Sequence, residues 1–146
     1  MLKIFLILLF IIFIIIQFFR PEKNVSSETL ATDFLIDTKA NDNIATIIKT
    51  SCYDCHSNNT EYPWYAEVAP VSWWMAHHVD EAKEELNFSE WSTFSEKRKR
   101  KKLKEMVEEL EEKEMPLKTY LPLHPEAKLS NQERVDLIAW IKSLKL

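Results

Sequence analysis

The chain has 146 residues, enough for one domain and a short appendage. Glycine is absent, so turns must be built from Asn, Asp, Ser and Pro, and no position has glycine's easy access to positive φ. The formal net charge of −4 argues against nucleic acid as a partner, since binding it requires a net basic face.

The first segment separates cleanly. From Ile4 to Phe19 there is no charge and Gln17 is the one polar side chain, with Lys3 before the run and Arg20 and Pro21 after it. At about 1.5 Å per residue, eighteen residues reach roughly 27 Å, close to the hydrocarbon thickness of a bilayer. A cleavable signal has a shorter apolar region and a small-x-small site, for which Thr29-x-Ala31 is a poor match. Residues 2–20 therefore read as an uncleaved transmembrane anchor, with a cleaved signal over 1–20 as the alternative. A terminal helix apolar on every face has no core to enter. Lys3 on one side and Arg20 and Lys23 on the other leave its orientation undetermined by charge.

Residues 21–40 are mixed and polar and read as a spacer, and 41–146 as the folded domain. Ile44, Ile47 and Ile48 predict a helix from Asp42 to Ser51, capped by Asn41 or Asp42. It runs directly into Cys52-Tyr53-Asp54-Cys55-His56. Asn58, Asn59, Thr60 and Pro63 mark 57–69 as loop, and a helix is expected after Pro70 to about Leu86. After a break from Asn87 to Ser92, Thr93 with Glu96 suggests a capping box for a long helix to about Lys113. Its apolar stripe is Leu103, Met106, Val107 and Leu110. Lys97 to Lys104 make its first half basic, and Glu105 to Glu114 make its second half acidic. That polarity opposes the helix macrodipole, partly offset by Lys101–Glu105 and Lys104–Glu108 pairs. The run is either a solvated helix face or a docking patch for an acidic redox partner or anionic lipid. Met115 to Leu129 is expected as loop, with Pro116, Pro122 and Pro125. Ser130 with Glu133 forms a second capping box opening a final helix with Val135, Leu137, Ile138, Trp140, Ile141 and Leu144. No strand-like alternation and no internal repeat is present, so the soluble part reads as all-α.

Both cysteines of the chain lie in Cys52-x-x-Cys55-His56. C-x-x-C-H reads as a c-type haem attachment site. Each thiol adds to one vinyl group, the two intervening residues let both reach the porphyrin edge, and the adjacent imidazole supplies a ligand to the iron. A zinc site would need further ligands, and only His77, His78 and His124 remain. A thioredoxin-like dithiol needs a βαβ context, and a disulfide between residues three apart closes too short a loop to stabilise much.

Cys52-Tyr53-Asp54-Cys55-His56-Ser57-Asn58, Tyr62-Pro63-Trp64-Tyr65, Pro70-Val71-Ser72-Trp73-Trp74, Met115-Pro116 and His124-Pro125-Glu126-Ala127 together resemble the bacterial haem-binding domain family, small cytochrome-c-like domains, over roughly residues 25–146. The resemblance implies periplasmic haem binding. The order of helix, C-x-x-C-H, late Met-Pro and C-terminal amphipathic helix is also similar to class I cytochromes c. The departure is glycine, which cytochromes c usually place where the first and last helices cross.

Met115 is the first candidate for the sixth iron ligand, by its place before Pro116, since a thioether opposite histidine suits electron transfer. His78 is the alternative sixth ligand, and His77 and His124 follow. Tyr62, Trp64, Tyr65, Trp73, Trp74 and Trp91 are expected either to cover a porphyrin or to fill the core. The expected protein is a membrane-tethered electron carrier with one covalent haem c, its soluble domain facing the periplasm from the inner membrane, with redox proteins as partners. A haem-based sensor or ligand-binding module with a displaceable sixth ligand is the alternative, and a peroxidase is a third reading without an obvious distal acid–base pair.

Overall fold

The computed structural model describes residues 1–26 and 31–145. Among them regular structure is helical, with one isolated bridge between Val25 and Asn59 and no strand, so the all-α expectation is borne out. The α-helices are α1 (Leu2–Ile16), α2 (Phe34–Asp37), α3 (Asp42–His56), α4 (Val71–Glu85), α5 (Glu96–Glu112) and α6 (Asn131–Ser143). Short 3₁₀ turns occupy Trp64–Glu67, Phe88–Thr93 and Pro125–Ala127.

The transmembrane helix expected over 2–20 is corrected to a shorter one. α1 ends at Ile16, where Gln17 turns to the domain: its Nε2 donates to Ala69 O at 3.1 Å and its Oε1 accepts the Ala69 N–H at 2.9 Å. Fifteen residues reach roughly 22 Å, short of a hydrocarbon core of roughly 30 Å. No helix among the described residues is long and apolar enough to cross a membrane. α1 buries no side chain against the domain. Thr29, in the weak cleavage site, lies outside the described residues.

The core lies between α2, α3, α5, α6 and the turn at Phe88–Thr93. Part of the stretch expected as spacer belongs to it. Asp33 caps α2 by accepting the Leu35 N–H at 2.9 Å. This presents Phe34, fully buried, to Trp91, Phe88 and Trp140 at ring-centroid distances of 4.7, 5.0 and 5.7 Å. A four-residue helix carries too short an apolar pattern to show a period, which hides it in the sequence.

α3 is capped by Asn41, whose side chain accepts the Ile44 N–H, and it buries Ile44, Ile47 and Ile48. α6 forms the expected capping box of Ser130 and Glu133 and buries Leu137 and Ile141, while Val135 is exposed. The cap of α5 is Ser95, not Thr93. Ser95 Oγ accepts the Arg98 N–H at 3.3 Å, and Thr93 instead closes the preceding turn by donating to Glu90 O. α5 ends at Lys113 with φ 61 and ψ 30, and Lys39 beyond α2 has φ 51. Both positions would suit glycine, and lysine holds each against the steric penalty of its Cβ.

The basic run on α5 is largely paired within the fold. Lys99, side chain 9% exposed, meets Asp37 at 3.0 Å. Lys102 meets Glu85 at 3.1 Å and Glu105 at 2.8 Å. Arg100, Lys101 and Lys104 pair along the helix with Glu96, Glu105 and Glu108. Two cations thus fasten α5 to α2 and α4; among the described residues Lys97 and Arg98 make no ion pair, and Arg98 lies 3.8 Å above the Phe94 ring.

Phe34→Ala is expected to lower the unfolding free energy by about 3–5 kcal/mol, because the ring fills the centre of the core. Denaturant unfolding followed by helical circular dichroism measures it; a loss below about 1 kcal/mol would place Phe34 outside the cooperative core.

Candidate functional site

The last turn of α3 carries Cys52, Cys55 and His56, so the whole motif is helical. A helix end leaves its final carbonyls unpaired, and here side chains cover them without glycine. Thr60 Oγ1 donates to Asp54 O at 2.6 Å, and Asn24 Nδ2 donates to Ser57 O at 2.8 Å. The two residues between the cysteines each hold a different neighbour. Tyr53 donates to Asp33 Oδ1 at 2.8 Å and stacks on Phe88. Asp54 accepts from the Tyr120 hydroxyl and from the Glu61 N–H.

His56 closes the arrangement. Its Nδ1 lies 3.1 Å from Ala82 O and 3.0 Å from Leu86 O, at the end of α4. A carbonyl only accepts, so Nδ1 carries the proton and Nε2 keeps its lone pair. Among the described residues Nε2 has no hydrogen-bond partner. Burial lowers the imidazole pKa, against the two carbonyl bonds, which favours the neutral ring.

Two clefts meet at this turn. The first is walled by α3, α4 and the 115–120 loop. The second runs between the end of α3, the end of α4 and α5. Cys52, His56, Met115 and Pro116 line both. The first also contains Cys55 and His78, so the structure brings together Cys52, Cys55 and His56 with Met115 and its alternative His78. His77 and His124 are elsewhere: His77 pairs with Glu81 on an exposed face, and His124 binds Tyr65 Oη through Nε2 and stacks on Tyr120 at 3.9 Å.

The loop bearing Met115 is held from α6. Arg134 Nη1 donates to Leu110 O at 2.8 Å and to Met115 O at 3.1 Å. Tyr120, in the cleft wall, ties the far side of the loop to Asp54. Sequence reasoning missed Arg134, Tyr120 and Asp33; the contacts span 19, 66 and 20 residues, and no local pattern marks them. The aromatic cluster disperses. Trp91 is buried in the core, Trp64 is exposed, and Trp74, tilted against His78 with ring centroids 4.3 Å apart, lines the cleft.

The thiols are poor thiolates here. Burial, then the neighbouring Cys55, pushes Cys52 up to about 12, and burial, then Asp54, pushes Cys55 up to about 11. A catalytic dithiol needs the opposite shift. Among the described residues no three His, Cys, Asp or Glu side chains are grouped to hold a metal ion, which leaves the zinc reading without a ligand set. The set does suit a porphyrin iron: one imidazole with a free Nε2, a thioether on the same cleft, and two thiols at one helix end.

The protein family described as "Haem-binding domain" matches residues 11–143. No curated protein and no solved structure matches the chain.

Tyr53 and Tyr120 set an alkaline limit on the site. Burial, then the hydrogen bond to Asp33 or Asp54, raises each phenol above its ordinary value of 10.0. Below about pH 10 both states keep these protons; above it the unfolded chain loses them and the folded chain does not, so stability falls as pH rises. Replacing both by Phe is expected to flatten that fall in alkaline denaturation, and an unchanged slope would remove both phenols as its cause.

Proposed function

Because the chain belongs to the haem-binding domain family, we propose that it is a membrane-tethered c-type cytochrome of cytochrome-c-like fold, carrying single electrons at the periplasmic face of the inner membrane. The observation that carries this reading is the fixed imidazole of His56, beside two cysteines and across one cleft from a methionine. Cys52 and Cys55 would hold one haem c by thioether bonds. His56 Nε2 would ligate the iron, and Nδ1–H donation to Ala82 and Leu86 would orient the ring and raise its basicity. Met115 would be the sixth ligand, on a loop that Arg134 holds in place. When bound, the group supplies a one-electron Fe(III)/Fe(II) couple, whose potential a thioether opposite histidine raises. The chain acts as a carrier and does no bond-making chemistry. The exposed apolar α1, with Phe18 and Phe19, supports a tether entering the bilayer. Lys97 and Arg98, in the first turn of α5 and without an ion pair among the described residues, suit an acidic redox partner.

His78 on the same cleft wall favours a second reading, a haem-based sensor whose sixth ligand is displaced. Carbon monoxide separates the two: a firmly six-coordinate carrier binds it slowly or not at all in the reduced state, and a sensor binds it readily.

Haem staining of the denatured protein, after expression with a cytochrome c maturation system, tests the class. Wild-type polypeptide is expected to retain haem and Cys52→Ala/Cys55→Ala to lose it; no retention by wild type would sink the reading. Met115→His is expected to lower the reduction potential, and an unchanged potential would exclude Met115 as the ligand.

A further inference from the structure

The face at the foot of α1 carries three indoles, of which Trp74 also borders the first cleft. Trp64 is 80% exposed, Trp74 50% and Trp73 39%, on the turn before α4 and in its first turn. An indole is a large apolar body with one polar N–H, and such rings gather where hydrocarbon meets water. The same face is joined to the end of α1. Gln17 bonds both ways with the Ala69 backbone, Trp73 Nε1 donates to Phe19 O, and Arg20 and Lys23 pair with Glu67. From Ile16 back to Ile4 the helix is apolar and almost wholly exposed, and Phe18 and Phe19 extend its apolar surface to the foot of the domain. Whatever surrounds the end of α1 therefore meets Trp73 too.

We propose that Trp64, Trp73 and Trp74 form a lipid-docking face, seated among the headgroups of the bilayer that α1 enters. The proposal rests on the tethered reading above and deepens it: the domain is held in one orientation on the membrane instead of swinging on a free linker. Arg20 and Lys23 lie at the same level, where anionic headgroups attract cations. Trp74 also lines the first cleft beside His78, so the α4 wall of the cleft rests at headgroup depth, close to a redox partner embedded in the membrane.

The test uses the full-length haem-loaded protein in vesicles of phosphatidylcholine and phosphatidylglycerol. Single cysteines are introduced by Trp64→Cys, Ile12→Cys in α1 and Leu123→Cys on an exposed loop, and each takes an environment-sensitive fluorophore. The unsubstituted protein, its own thiols closed as thioethers, takes none; uptake by it would overturn the haem attachment and leave the docking face standing. The expected result is severalfold weaker iodide quenching of the label at 64 than at 123, with strong quenching at 64 by headgroup spin-labelled lipid. Lipid quenching at 12 with iodide reaching 64 as freely as 123 would overturn docking and keep the tether. No lipid quenching at either position would overturn both. Shielding at 64 that needs no lipid and grows with protein concentration would assign the face to a second copy of the chain and overturn lipid docking.

Discussion

Two hydrogen bonds from one imidazole hold the molecule's central junction. α4 ends at a Leu86 carbonyl that the helix itself does not pair, and His56 Nδ1, at the end of α3, donates to it and to the Ala82 carbonyl, which also accepts the Leu86 N–H. That contact satisfies a helix terminus, sets the tautomer of the ring and fastens α3 across α4. A shift of α3 against α4 would leave the Leu86 carbonyl and the imidazole N–H without these partners, a loss of roughly 1–3 kcal/mol for each group. α3 also packs on α6 and on the turn at Pro125–Ala127, so the junction reaches most of the domain.

Around it the structure repeats one device, a side chain far along the chain fixing a backbone or acidic group near the motif. Tyr53 reaches Asp33, Tyr120 reaches Asp54, and Arg134 reaches the carbonyls on either side of the α5 terminus. Arg134 is an economical choice, since one planar guanidinium spans both Leu110 O and Met115 O without a geometry that must be found twice. These contacts keep a glycine-free loop in shape.

What could be read from the sequence follows the range of the physics involved. Local rules were legible: the Asn41 cap, the isoleucine stripe of α3, the Ser130–Glu133 box and the stripe of α5 all act within one or two turns. So was the C-x-x-C-H cluster, because five consecutive residues form it. The Ser95 cap lay two residues beyond the better-looking Thr93, since the intervening 3₁₀ turn used the threonine hydroxyl for itself. α2 escaped because its burial is decided by Trp91, Phe88 and Trp140 from elsewhere in the chain. The aromatic cluster looked like one unit and is three, a core residue, a cleft wall and an exposed face, and spacing along the chain does not distinguish them.

The reversed charge order of α5 has a consequence for how the domain presents itself to other charged surfaces. Seventeen residues make a helix roughly 25 Å long, while salt at physiological strength screens exposed charges over about 8 Å. The two ends are therefore electrically independent. A surface approaching Lys97 and Arg98 meets a basic pole that Glu112 is too distant to cancel, although the whole chain is acidic. The net charge of −4 thus describes no single face of the protein, and α5 gives it opposite poles for two different neighbours.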